Sequence, residues 1–315
     1  MAENRIFDLV IIGGGPGGLS AGIYAQRASL DTVLVEKGAP GGQINLTDEV
    51  ENYPGFEHLS GPELAMKMNQ HAESLGLPVI SDEVATIEPG DPAHTVKLVS
   101  GESLQSYAVI IATGGYPRKL GIPGENELYG KGVSFCATCD GFFFRGKTVL
   151  VVGGGDTAAE EALYLAKITK KVYIAHRRDA LRASPILQKR VFDNEKIEML
   201  WNTVPTAIHA ENGSVSRISL KDTQTDAASD LAVDGVFIFI GYLPNAQLVP
   251  DAIVRAAGGY IATNNRCETN IPGIYAIGDL AEKFARQIVT AAADGCTAAL
   301  AASHHVEMKK ATGTL

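Results

Sequence analysis

The segment Asp8-Leu9-Val10-Ile11-Ile12-Gly13-Gly14-Gly15-Pro16-Gly17-Gly18 decides how the rest of the chain is read. The uninterrupted apolar run Leu9–Ile12 lacks the alternation of a half-exposed strand, and it predicts a strand buried on both faces, as in parallel sheets. Gly13-x-Gly15-x-x-Gly18 follows without a gap, and Leu19–Arg27, with its Ala, Ile and Tyr, predicts a helix. Leu30–Glu36 predicts a second strand that ends on an acid. Strand, glycine turn, helix and strand form the setting in which GxGxxG is a dinucleotide fingerprint rather than a plain tight turn. Gly15 lets the backbone approach a pyrophosphate, and the helix N-terminus points its amide dipoles at that charge. Glu36 stands 36 − 13 = 23 residues past the first glycine, close to the ~20 expected for an acid that bonds a ribose hydroxyl. An acid there suits an unphosphorylated ribose, as in FAD or NAD.

The same unit recurs. Lys147–Val152 predicts a buried strand, Gly153-x-Gly155-x-x-Ala158 follows, Thr157–Lys167 predicts a helix and Val172–Ala175 the next strand. The first glycines of the two turns are 153 − 13 = 140 residues apart. At 176 − 153 = 23 residues, the position that holds Glu36 in the first copy, this copy has His176, with Arg177 and Arg178 behind it and Arg182 further on. An acid would repel a ribose 2′-phosphate, whereas a guanidinium cluster pairs with one through bidentate bonds. The two copies therefore divide the labour, FAD in the first and NADPH in the second. The fold class that follows is α/β with two Rossmann-like nucleotide-binding domains.

Between the two turns lies Cys136-Ala137-Thr138-Cys139-Asp140. A CxxC closes a small disulfide loop or supplies two thiolates to a metal. Placed between two nucleotide sites, it suggests electrons that leave through sulfur. A zinc module is the alternative from another class. It needs two more ligands, and the remaining cysteines, Cys267 and Cys296, are isolated in sequence.

Gly38–Gly61 is a long loop with Gly41-Gly42-Gln43 and Asn52, able to pass close to a flat ring and bond its edge. Pro62–Leu75 predicts an amphipathic helix, and Val79–Ile87, Thr95–Val99 and Ser103–Ala112 predict strands, the last running into Ala112-Thr113-Gly114. Further strands are predicted at Ile197–Leu200, Ser216–Leu220 and Val233–Ile240, with a polar stretch over Asp222–Asp230. Near the end, Gly273–Asp279 predicts a strand ending on Gly278-Asp279, and Arg286-Gln287 precedes a small-residue helix over Ile288–Ala302. Asp279 reads either as an acceptor for a ribityl or ribose hydroxyl or as a helix N-cap.

Composition narrows the class. The 315 residues are 45% hydrophobic and 20% charged, an ordinary globular balance. A net charge of −9 argues against a nucleic-acid partner, which requires a basic face. No apolar run approaches the ~20 residues of a membrane span, and Met1–Asp8 has no secretory character. The expectation is a cytoplasmic protein.

With these residues in place, the chain resembles the low-molecular-weight, bacterial-type thioredoxin reductases. The resemblance runs over nearly the whole length, through Gly13–Gly18, Gly41-Gly42-Gln43, Glu51–Gly55, Ala112-Thr113-Gly114, Cys136–Gly141, Gly153–Ala158, His176-Arg177-Arg178 with Arg182, and Gly278-Asp279 with Arg286-Gln287. The CATCDG stretch inside the pyridine-nucleotide domain is its specific part. Reductases related to glutathione reductase carry their pair in the FAD domain, with four residues between the cysteines.

The resemblance implies an FAD domain over 1–117 and 244–315, split by an NADPH domain over 118–243 that carries the CxxC. It implies a homodimer and a thioredoxin partner. NADPH would reduce the flavin, and the flavin the Cys136–Cys139 disulfide. Cys139 would face the flavin, Cys136 would attack thioredoxin, and Asp140 would donate the proton. FAD would be held by Gly13, Gly15, Pro16, Gly18, Glu36, Lys37, Gly42, Gln43, Asn52, Ala112, Thr113, Gly114, Gly278, Asp279, Arg286, Gln287 and Ile288. NADPH would be held by Gly153, Gly155, Asp156, Thr157, His176, Arg177, Arg178 and Arg182. The inserted domain would rotate about crossings near Gly114–Arg118 and Gly241–Asn245, so that the dithiol meets flavin and protein in turn. Asp156 departs from the Asn found in other members. Phe142-Phe143-Phe144 reads as an apolar contact for thioredoxin or as packing under the disulfide. A reductase of the same fold acting on another small disulfide stays open, while a ferredoxin-reducing relative would lack the CxxC.

Overall fold

The computed structural model describes residues 5–47 and 50–312, and they divide into two compact units. One comprises the residues up to Tyr116 and those from Leu243 onward, and the other is Pro117–Tyr242.

In chain order the first unit opens with β1 (Ile6–Ile12), α1 (Pro16–Arg27), β2 (Thr32–Glu36), α2 (Gly61–Ser74), β3 (Val79–Ser81), β4 (Val84–Glu88), β5 (His94–Leu98), β6 (Ser103–Ile111) and β7 (Gly115–Pro117). The central strand β1 is parallel to β2 on one side, with Ile11 opposite Leu34, and to β6 on the other, with Ile11 opposite Ile110. Successive side chains of a strand point to opposite faces. Leu9 and Ile11 therefore enter one core with Leu19, Ile110 and Tyr275, while Val10 and Ile12 enter the other with Val33, Val109 and Ile111. Burying each such side chain contributes about 1.5–3 kcal/mol.

The single strand expected over Val79–Ile87 is two strands. β3 lies parallel to β2, whereas β4 is antiparallel to β5 at the far end of the sheet. A run of β-favouring residues does not specify a partner, and the break at Asp82-Glu83 sends the two halves to opposite edges.

The second unit holds β8 (Val133–Ser134), α3 (Ala137–Asp140), β9 (Thr148–Gly153), α4 (Asp156–Ile168), β10 (Lys171–Ala175), α5 (Pro185–Phe192), β11 (Ile197–Leu200), β12 (Thr203–Glu211), β13 (Ser214–Asp222), β14 (Ala228–Ala232) and β15 (Gly235–Phe239). Its parallel sheet has the order β11-β10-β9-β15-β8, and β12-β13-β14 form a separate antiparallel sheet. Neither β12 nor β14 is evident from sequence. The β14 strand lies in the polar stretch, with both ends exposed and no periodic apolar signal.

The chain returns through β16 (Tyr242–Pro244), which pairs with β7, then β17 (Ile274–Ala276) beside the second half of β6, and α6 (Ile288–Ala311). α6 runs nine residues beyond the expected end at Ala302. Its small residues have a steric cause: a Cβ on Gly295 would lie 2.2 Å from the Gly17 carbonyl oxygen. Only glycine lets α1 and α6 cross this closely.

Candidate active site and nucleotide turns

In the first unit, β1 delivers the chain into the turn at Gly13, whose φ of +103° suits glycine. A Cβ on Gly18 would stand 1.8 Å from the Gly13 carbonyl oxygen, so the third glycine is required for helix and strand to meet. Pro16 takes the first turn of α1, where its missing N–H costs nothing. The Gly14 amide donates to Glu36 Oε2 at 2.6 Å and the Gly38 amide to Oε1 at 2.8 Å. Glu36 thereby ties the turn to the end of β2 and keeps lone pairs for a hydroxyl donor. The Gly41 amide donates to the Gly14 carbonyl at 2.7 Å, and a Cβ on Gly42 would meet Gly15 Cα at 3.4 Å. The loop of Gly42, Gln43 and Asn52 is thus folded against the turn, with the Asn52 amide donating to Gln287 Oε1 at 3.3 Å.

Gln287 is the N-cap of α6 in a reciprocal capping box with Thr290. Ile288 packs with Ile44, Val50, Leu59 and Leu64. The Gly278 amide donates to Asp294, which also pairs with Lys283, so the turn of Gly278 and Asp279 is held from α6. Arg286 lies over the Tyr260 ring at 4.1 Å.

Two expected FAD contacts prove to be engaged within the protein. The Thr113 hydroxyl donates to the Asn245 carbonyl at 2.7 Å, and the Asn245 amide donates back to the Thr113 carbonyl at 3.2 Å. Thr113 and Gly114 thus close the chain crossing, while the Ala112 carbonyl packs on Gly13. Lys37 pairs with Glu83 at 3.0 Å on the surface.

The residues fit a dinucleotide such as FAD. The first turn of α1 has neither an acid nor a side-chain cap, and a Cβ on Gly15 would meet nothing within 4 Å. Arg286 Nε is buried without a hydrogen-bond partner among the described residues, an uncommon state for a buried donor.

In the second unit, Gly153 repeats the turn, and Gly155 is the N-cap of α4 with open space where a Cβ would go. Asp156 is in the first turn of α4 and its Oδ1 accepts the Ser184 amide at 2.6 Å. The Arg182 and Ala183 amides both donate to the Gly154 carbonyl, at 2.7 and 3.2 Å. The segment carrying Arg182 is therefore strapped onto the turn. Arg177, Arg178 and Arg182 are exposed, and none forms an ion pair among the described residues. Exposed, unneutralised guanidinium groups beside an uncapped helix start fit a ribose 2′-phosphate.

His176 corrects the sequence reading, which grouped it with the arginines. It is 6% exposed, stacked under Gly154, with Nδ1 donating to the Gly153 carbonyl at 2.9 Å. Burial, ahead of the Gly153 and Ala180 carbonyls that favour the charged form, holds its pKa below the ordinary histidine range. It supports the turn from beneath, whereas the arginines are at the surface.

Cys136 and Cys139 are joined in a disulfide with Cα atoms 5.3 Å apart. Cys136 is the N-cap of α3, and its Sγ accepts the Cys139 amide at 3.2 Å and lies 3.4 Å from Thr138 Oγ1. Two carboxyl groups frame the pair. Glu161 of α4 accepts the Ala137 amide at 3.1 Å, and burial raises its pKa. Asp140, at the end of α3, lies 2.5 Å from Ser134 Oγ, which accepts the Cys136 amide at 3.0 Å. Ser134 and Glu161 escaped the sequence reading, and the only available signal was a hydroxyl two residues before Cys136. Of the three phenylalanines, Phe144 is buried edge-on to Phe237 and Phe143 packs into the same core. Phe142 is 52% exposed with Arg145 over its ring at 5.0 Å.

The chain is similar to proteins of known activity over nearly its whole length. The family model for pyridine nucleotide-disulphide oxidoreductases matches residues 7–295. A thioredoxin reductase of Bacillus subtilis is 50% identical over 307 residues, covering 98% of this chain and 97% of that protein. One from Listeria innocua is 44% identical over 309 residues, covering 98% and 97%. Among solved structures, the thioredoxin reductase of Streptococcus pyogenes superposes with a TM-score of 0.93 at 44% identity, covering 97% of this chain and 100% of that one.

Proposed function

Because the chain belongs to the pyridine nucleotide-disulphide oxidoreductase family and, within it, to the thioredoxin reductases, it is an NADPH-dependent flavoprotein that reduces thioredoxin, and we propose a division of roles among its residues. The observation that carries the proposal is the Cys136–Cys139 disulfide, with Asp140 bonded beside it, in a chain that has an acid-ended and an arginine-flanked nucleotide turn.

FAD, when bound, supplies the two-electron relay between nicotinamide and sulfur. Gly13, Gly15, Pro16 and Gly18 admit its pyrophosphate to the start of α1, and Glu36 accepts from its ribose. Gly42, Gln43, Asn52, Ala112, Gly114, Gly278, Asp279, Arg286, Gln287 and Ile288 line the remainder, and Thr113 and Lys37 act through the backbone they hold in place. Gly153, Gly155, Asp156 and Thr157 form the NADPH turn over His176, and Arg177, Arg178 and Arg182 take the 2′-phosphate.

Cys136 is the sulfur whose thiolate the chain stabilises, because it accepts the Cys139 amide. The Cys136 thiolate attacks the thioredoxin disulfide, one thioredoxin sulfur leaves, and that sulfur takes a proton from Asp140. The Asp140 carboxylate then removes the proton of Cys139. The Cys139 thiolate attacks Cys136 Sγ, which restores the disulfide and releases the second thioredoxin sulfur. That sulfur takes its proton from Asp140, so two electrons and two protons reach thioredoxin and Asp140 ends ionised.

The proposal extends to the domain boundaries 1–117, 118–243 and 244–315, a homodimer, and a cytoplasmic setting. Gly114 at φ +66° and Gly241 at φ +126° support a hinge at the crossings. Exposed Met66 and Leu300 support self-association, and no described helix is long and apolar enough to cross a membrane. Cysteine-to-serine variants test the core of the reading. Cys136→Ser and Cys139→Ser should each abolish NADPH-dependent thioredoxin reduction and leave bleaching of the flavin band by NADPH intact. With oxidised thioredoxin, Cys139→Ser should accumulate a mixed disulfide and Cys136→Ser should not. The opposite trapping pattern would exchange the roles of the two sulfurs.

A further inference from the structure

Ser134 is 2% exposed, at the end of β8 opposite Phe237 of β15, and its hydroxyl has more partners than one proton can serve. Its Oγ accepts the Cys136 amide at 3.0 Å, lies 2.5 Å from Asp140 Oδ2, and lies 3.2 Å from the Cys136 carbonyl oxygen. The amide uses one lone pair, and the single O–H proton goes to one of the two acceptors. When Asp140 is ionised, the proton goes to the carboxylate in a charge-assisted bond. When Asp140 is protonated, the acid donates to Oγ, and the hydroxyl turns its own proton to the Cys136 carbonyl. Both states of Asp140 leave the buried hydroxyl fully bonded. Moving a proton to or from the carboxyl therefore strands no polar group at this contact, a loss that is costly in a protein interior.

We propose that Ser134 is a positioning residue for thioredoxin reduction: its hydroxyl joins Asp140 to the Cys136 backbone and re-aims its one proton as Asp140 gives up and regains its own. The proposal rests on the reading of Asp140 as the acid. No electrons pass through Ser134. The proton that leaves Asp140 goes to the departing thioredoxin sulfur, and the one Asp140 regains comes from Cys139. α3 packs on α4 and on the 3-10 turn Gly141–Phe144. Besides the two sulfurs, α4 brings two titratable groups to it: Glu161, which accepts the Ala137 amide, and Tyr164, whose ring lies against Gly141, while Arg145 at the end of that turn lies over the Phe142 ring. The strands β8 and β15 bring none.

The test is the pH profile of NADPH-dependent thioredoxin reduction by the full-length, FAD-loaded enzyme and its variants Ser134→Ala, Ser134→Thr and Asp140→Asn. Loss of the hydroxyl weakens the ionised form of Asp140 more than the protonated form. The alkaline limb of Ser134→Ala should therefore move to higher pH, with turnover at neutral pH lowered about ten- to a hundred-fold. Ser134→Thr keeps the hydroxyl and should restore the parental limb. Should the alanine variant not fold, Ser134→Gly removes the hydroxyl without adding bulk and carries the same expectation. A Ser134→Ala or Ser134→Gly profile that differs from the parent only in height, or a threonine variant that fails to restore the limb, overturns the proposal. Asp140→Asn separates the two levels. If it keeps the parental alkaline limb, Asp140 is not the acid. If it loses that limb while Ser134→Ala keeps it, only the role of Ser134 falls.

Discussion

Gly154 and His176 are packed so closely that a Cβ on Gly154 would lie 2.2 Å from the imidazole Nδ1 and Cε1. Overpacking of this kind costs about 1–3 kcal/mol, and here it would displace the ring that holds the Gly153 carbonyl. Gly154→Ala should weaken NADPH binding about ten-fold or more while the FAD content of the purified protein stays at parental level. Titration of the flavin band with NADPH measures the first, and the flavin-to-protein absorbance ratio measures the second. Parallel loss of both would show that the turn is coupled to general folding and not to NADPH.

Arg177 and Arg178 are exposed beside that turn. Each charge-assisted bond to a 2′-phosphate is worth about 1.5–3 kcal/mol. Replacing both by alanine should raise KM for NADPH by two orders of magnitude or more and leave KM for NADH within a few-fold. Steady-state kinetics with the two cofactors reads the ratio. Equal losses would contradict recognition of the 2′-phosphate.

Glu161 accepts the Ala137 amide under the disulfide, and burial raises its pKa. A carboxyl raised on folding contributes stability below the usual carboxylate range, and that contribution is lost as pH rises through its folded value. Glu161→Gln keeps an acceptor for the amide and removes the titration. The Tm of the parent should therefore fall relative to the variant between acid and neutral pH, as thermal melts across that range would show. Curves that stay parallel would mean that Glu161 titrates normally.

His94 and His305 converge on Gly273, where a Cβ would lie 2.7 Å from one Nε2 and 3.0 Å from the other. Burial first, and then the charge of Lys309, lowers the pKa of both. Both are neutral in the fold, whereas the unfolded chain takes up protons near pH ~6.5. The stability they confer is present above that pH and is lost as pH falls through their depressed folded values. His305→Gln should lose less Tm than the parent between neutral pH and about pH 5. An identical loss in both proteins would assign the acid lability elsewhere.

The two glycine turns were legible because their signal is local. A buried strand, three glycines and a helix are contiguous, and the matched 23-residue spacing put Glu36 and His176 at equivalent strand ends. The reach of that logic ended where partners are distant. Val79–Ile87 carried no mark that its halves join opposite edges of one sheet. Nothing beside His176 announced that Gly154 would bury it, since a basic run looks alike whether its first member faces solvent or backbone.

The sequence by itself determined the α/β class, two glycine turns followed at matched spacing by an acid in one and by a basic run in the other, and a cysteine pair between them. These depend on residues a few positions apart, whose spacing alone sets the geometry. Only the tertiary structure decided that Gly17 and Gly295 let two helices touch, that Thr113 closes on Asn245, and that Glu161 and Ser134 frame the disulfide. Those contacts join residues brought together by the folding of sheets and helices, and a hydroxyl or a carboxyl gains its chemical role only from the neighbour it meets there.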